Sequence, residues 1–158
     1  MKIQNNSNLK FGQLKKIECI SPFSCSRKGQ DAAVAALLNS DAYKQFGENY
    51  DYIAKFYWKY PLYWRGESFS KPNEYTLKLE LPNDMNPGQP ILINAAGYRD
   101  ADLRCATKGF IKAIENNTYE QLNGLVKGAK GKLQRSDRRD AEIQRQIDET
   151  IAKNKHLF

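Results

Sequence analysis

The amino-acid sequence predicts a single α+β domain. It should hold a mostly antiparallel sheet of four to five strands, one helical region inserted after the first strand, and three C-terminal helices. Three observations lead there. Residues 75–81 alternate apolar and polar with a period of two, the pattern of a half-buried strand. From about Asp100 onward the apolar residues recur at intervals of three and four, the period of a helix. The chain has 158 residues, 41% hydrophobic and 27% charged, the size and composition of one globular domain. Folding at that length buries roughly 70% of the surface an unfolded chain exposes, so no staple is required.

Residues 1–10 are polar and are expected to be flexible. Lys15–Ile20 is a short strand candidate, followed by the turn-rich Ser21-Pro22-Phe23-Ser24. Asp31-Ala-Ala-Val-Ala-Ala-Leu-Leu38 is a strong helix former, with Asp31 near the positive end of the helix dipole. Asn39-Ser40-Asp41 can break and recap it, and a second short helix over Asp41–Phe46 is expected to end at Gly47.

Residues 50–69 hold nine of the chain's eighteen aromatic residues, interleaved with Lys55, Lys59 and Arg65. The first part of this stretch has two readings. As a helix, Tyr50, Ile53, Ala54, Tyr57 and Trp58 would share a buried face that ends at Pro61. As a strand, Tyr52, Ala54, Phe56, Trp58 and Tyr60 lie on one side and Ile53, Lys55, Tyr57 and Lys59 on the other. Aromatic and β-branched content favours the strand. Tyr63–Arg65 would form the next.

In Tyr75–Leu81 the four apolar residues face inward and Thr76, Lys78 and Glu80 face water. Pro82-Asn83-Asp84 and Pro87-Gly88 make a loop, and Ile91-Leu92-Ile93 reads as a short strand buried on both sides. A helix is expected from about Asp100 through Leu103, Phe110 and Ile114 to Asn116-Asn117. Thr118 and Gln121 have the capping-box form for the next helix. Gly124, Gly128 and Gly131 should weaken its second half, and Ser136 can cap a last helix over 137–153 with a stripe of Ile143, Ile147 and Ile151.

The net charge of +7 is unevenly spread. Residues 1–30 net +5, residues 124–139 net +5, and the remaining 112 residues net −3. Clustered positive charge suits a polyanionic partner better than scattered charge does. Cys19 and Cys25 are separated by five residues, which matches no zinc knuckle, and His156 is the single histidine. Three cysteines and no apolar leader or span point to a soluble, cytoplasmic protein without a metal or other cofactor.

Aromatic rings beside Lys and Arg are what single-stranded nucleic acid needs, because rings stack bases and cations hold phosphates. Most such rings build cores, so the candidate contacts are those on the lysine side of the strand: Lys55, Tyr57 and Lys59, with Tyr63 and Arg65 beyond. The block Lys127, Lys130, Lys132, Arg135, Arg138 and Arg139 is glycine-punctuated and reads as a phosphate-binding joint between helices, though it lacks the Walker spacing.

The expected function is therefore non-enzymatic binding of single-stranded or structured nucleic acid. A protein-binding assembly or inhibitory factor, acting through the aromatic surface and the last helix, is the alternative. A metal-dependent nuclease built on Glu74, Lys78 and Glu80 comes third, with the acid and lysine in reversed order from Glu-x-Lys. Ile93-Asn94-Ala95-Ala96-Gly97 resembles the strand-end turn of macrodomains, and Trp64-Arg65-Gly66 with Ser68 and Ser70 resembles ADP-ribosyltransferases. The phosphate loop a macrodomain needs is absent, and a tight strand-to-turn transition explains both segments.

Overall fold

The computed structural model describes residues 13–20, 27–59 and 73–154. The chain runs β1 (Leu14–Ile20), α1 (Arg27–Asn39), α2 (Asp41–Asn49), β2 (Tyr52–Lys59), β3 (Asn73–Leu81), β4 (Ile91–Asp100), α3 (Leu103–Glu115) and α4 (Tyr119–Asn154). The four strands form one sheet in the order β1-β2-β3-β4. β1 and β2 are parallel, which demands a crossover, and α1 and α2 supply it. β2, β3 and β4 follow as an antiparallel meander. The fold is α+β, with two of three strand pairings antiparallel.

All four helices cover one face of the sheet. The strand reading of the aromatic stretch holds, with the expected parity: Tyr52, Ala54, Phe56 and Trp58 are buried and Ile53, Lys55 and Tyr57 lie half-buried on the other side. Phe56 stacks on Trp58 at 5.6 Å, and Trp58 and Phe56 meet Tyr75 and Phe110 edge-on at 6.3 and 6.2 Å. Packing of large rings against β3 and α3 fixes the register, because a slip of one residue would turn every ring to the open face. The capping box also forms as expected: Thr118 Oγ1 accepts from the Gln121 amide at 3.3 Å, and Gln121 Oε1 accepts from the Thr118 amide at 3.0 Å.

Four expectations need correction. Gly47 does not end α2, which continues to Asn49 because Tyr50 packs on buried Phe46 with ring centroids 4.8 Å apart. β4 is neither short nor buried on both sides: it runs ten residues, Leu92 is exposed, and its register shifts opposite Leu77 and Lys78. The Asn94–Gly97 segment therefore lies inside a strand rather than in a strand-end turn. α3 starts later than Asp100, capped by Asp102, whose carboxylate accepts from the Arg104 amide at 2.8 Å. It carries Gly109 because the Tyr98 ring lies where a β-carbon would sit, 2.4 Å away.

The last correction matters most. Two helices follow the sheet rather than three, since α4 is continuous for 36 residues through all three glycines and Ser136. At 1.5 Å per residue it is about 54 Å long. Burial of Leu122 and Val126, with Ala129 and Leu133 packed beside them, offsets the poor helix propensity of the glycines. The expected strand at Tyr63–Arg65 and the turn at Ser21–Ser24 lie outside the described residues.

Candidate nucleic-acid interface

The open face of the sheet carries Lys55, Tyr57 and Lys59 side by side. Strand pairing gives each of them a neighbour that local sequence does not show. Lys55 stands opposite Glu18 of β1 and Lys78 of β3. Two lysines directly opposite repel, and the face resolves this with acids. The Lys55 ammonium touches the Glu80 carboxylate and lies 3.8 Å from Glu18, which in turn holds Lys16 at 2.7 Å. The hydrogen bond to Glu80, with the charges of Glu80 and Glu18, holds the Lys55 pKa above the ordinary lysine value. Hydrogen bonding to Lys16 pulls the Glu18 carboxyl below its ordinary value.

Lys78 takes another route: its ammonium lies 4.9 Å from the Tyr57 ring centroid, a cation–π contact that covers one face of that ring. Lys55 is thus already compensated and Tyr57 is half-occupied, while Lys59 is exposed at the strand end. Tyr63 and Arg65 lie outside the described residues. The trio Glu74, Lys78 and Glu80 does not converge. Glu74 pairs with Arg99 at 3.5 Å, Glu80 with Lys55, and Lys78 with the Tyr57 ring. The two carboxylates stand six residues apart on one strand, about 20 Å. Among the described residues no three His, Cys, Asp or Glu side chains group where a metal ion could be held.

The second basic block is arranged differently. Because α4 is unbroken, its 3.6-residue repeat assigns every side chain to a side. Leu122, Val126, Ala129 and Leu133 face the sheet. Lys127, Lys132, Arg135, Arg138 and Arg139 fall on the opposite half and are exposed. None of these five makes an ion pair among the described residues. Arg135 donates to the Gly131 carbonyl at 3.2 Å, which steadies its guanidinium along the helix. Gly124, Gly128 and Gly131 lie on that same solvent half, and a β-carbon at any of them would meet nothing within 4 Å. The result is a strip of bare helix backbone rimmed by cations.

Lys130 belongs elsewhere. It sits on the flank of α4 with its ammonium 5.9 Å from the Tyr50 ring centroid, and Tyr50 in turn donates to Asn123 Oδ1 at 2.6 Å. These contacts fasten the first half of α4 to the α2–β2 junction. The expected joint between helices is a continuous helix with Lys130 on its flank, and the sequence did not show Glu18 and Glu80 beside Lys55 or Lys78 beside Tyr57, because cross-strand neighbours are set by pairing. No protein-family model matches the chain, and no curated protein matches it. No helix among the described residues is long and apolar enough to cross a membrane.

Proposed function

We propose that the protein binds single-stranded or structured nucleic acid through the solvent half of α4, gripping phosphates without reading a base sequence and without catalysing a reaction. The observation that carries this reading is the set of five cations on one side of one helix with no acid paired to them among the described residues. Surface cations are normally interspersed with acids, as on the open sheet face, where Lys16, Lys55 and Arg99 are each answered by a carboxylate. From Lys127 to Arg139 the strip spans about 18 Å. Its five cations can each answer one phosphate, giving about five contacts. The glycine strip supports the reading as well, since a phosphate chain can approach bare backbone more closely than a surface of side chains. Lys59 is a further contact at the sheet edge. Cys105 is a free thiol, as a reducing compartment allows, and the cytoplasm is the proposed location.

The test is a labelled oligonucleotide titrated at several salt concentrations. Five phosphate contacts to a single strand give a slope of log affinity on log salt of about −3.5. No binding at low salt, or a slope near zero, refutes the reading and favours a protein partner instead. One observation speaks for that second reading: the exposed isoleucines on the far half of α4.

A further inference from the structure

α4 outruns the body of the protein. Its sheet-facing side is covered as far as Leu133, and every residue from Gln134 to Lys153 is exposed. The apolar side does not stop there. Ile143 and Ile147 continue it, with Ile151 beside them, at exposures of 47%, 46% and 58%. A helix of this length that no other described residue supports is marginal in water, and an apolar stripe along it calls for cover.

We infer that this free half of α4 pairs, antiparallel, with the same segment of a second copy of the chain. Charge and register select that occupant. Residues 135–154 carry five cations and five anions, so they are neutral in a chain of net charge +7 and are a part of the surface where two copies do not repel. The intrahelical pairs Arg145–Glu142 at 2.8 Å and Arg145–Glu149 at 3.7 Å lie on the side away from the isoleucines and leave the stripe itself with one charge, Asp140.

A two-fold axis level with residue 145 sets Ile143 against Ile147 of the second copy, and reciprocally. The same register sets Asp140 against Thr150 and Ser136 against Asn154, while Ile151 falls level with Arg139, whose aliphatic stem can lie over it at the rim of the seam. A parallel pair would instead press Asp140 on Asp140 and lay the two basic stretches 135–139 side by side. The antiparallel pair separates those stretches by about 24 Å, well beyond the screening length of about 8 Å at physiological salt. It also sends the two bodies to opposite ends of the paired helices and leaves Lys127, Lys132, Arg135 and Arg138 of both copies open.

The experiment is sedimentation equilibrium of the full chain over a range of concentrations, without nucleic acid, so that it is independent of the function proposed above. A reversible monomer–dimer equilibrium is expected, and Ile147→Glu should weaken it about tenfold or more, while Ile147→Leu should leave the dimer in place. Far-ultraviolet circular dichroism of each variant confirms that the helix persists. For orientation, cysteines are introduced at 143 or 147 in a background whose native cysteines are serine. Disulfide formation should be fastest when Ile143→Cys and Ile147→Cys are mixed. A wild-type chain that is monomeric throughout, a dimer untouched by Ile147→Glu, or fastest crosslinking within either single variant overturns the inference.

Discussion

Replacing Gly124, Gly128 and Gly131 together by alanine should make the protein more stable. In a helix interior glycine is about 0.8–1 kcal/mol less favourable than alanine, because its unfolded backbone has more freedom to lose. Such gains are normally cancelled when the new methyl group collides with something. Here a β-carbon at each position meets nothing within 4 Å, so the full propensity gain should appear. The three methyl groups share no neighbour, and additivity gives about 2.5–3 kcal/mol. For a domain of this size each kcal/mol raises the melting temperature by roughly 2–4 °C. Urea unfolding with an unchanged m-value measures the gain directly. A loss of stability would mean that α4 is not continuous through the glycines, and the assignment of its cations to one side would fall with it. The same variant tests function. No charge changes, so a cationic surface acting only through its charge would bind nucleic acid as before. If phosphates approach the bare backbone, affinity should drop about tenfold although the protein is more stable. A variant that gains stability and binds unchanged would refute the role given to the glycine strip.

Arg135→Gln with Arg138→Gln should reduce the salt slope for a single strand by about 0.7 per residue and change stability by less than about 0.5 kcal/mol; undiminished binding in a fluorescence titration would place the interface elsewhere. Trp58→Ala, which empties a 2%-exposed site in the ring cluster, should cost about 3–5 kcal/mol, whereas half-buried Tyr57 should cost clearly less. Equal losses on chemical denaturation would contradict the strand parity. Burial pushes the Tyr52 hydroxyl up to about 12 and Tyr43 further, so neither should ionise with the exposed tyrosines in an ultraviolet titration. A raised folded-state pKa makes its contribution complete below about 10, the unfolded value, and lost as pH rises through the folded one; for Tyr52 the alkaline loss should fall between pH 10 and about 12.

What the sequence carried most clearly was anything set by local period. Alternation in Tyr75–Leu81 and the two-sidedness of Tyr52–Lys59 both translate into burial residue by residue. Two things escaped it. Helix ends are decided by tertiary packing as much as by local signals: Gly47 looks like a stop, but Tyr50 on Phe46 carries α2 past it, and Leu122 and Val126 hold α4 across residues that would fray in isolation. Strand partners were also invisible. The pattern Lys55–Tyr57–Lys59 looks like an unpaired cationic face until pairing brings Glu80 to Lys55 and Lys78 to Tyr57.

The two basic clusters therefore differ in kind, and the reason is geometric. On a sheet, side chains from adjacent strands stand within about 5 Å of each other, so a lysine on a central strand such as β2 acquires neighbours from two sides and can be neutralised by either. On the outer side of a helix, neighbours come chiefly from the helix itself, three and four residues away. Within the 124–139 stretch the single acid is Asp137, turned toward the β3–β4 loop, and Glu142, three and four residues beyond Arg139 and Arg138, is held by Arg145 instead. Farther along, the helix follows the opposite rule: Glu142, Arg145 and Glu149 answer one another at those spacings. One helix thus changes from uncompensated to self-compensated charge along its length, at the point where its apolar side leaves the body. The uncompensated half retains the electrostatic free energy that a polyanion can release, and the self-compensated segment 140–154, at a net charge of −2 and striped with isoleucine, can meet its own copy at little cost.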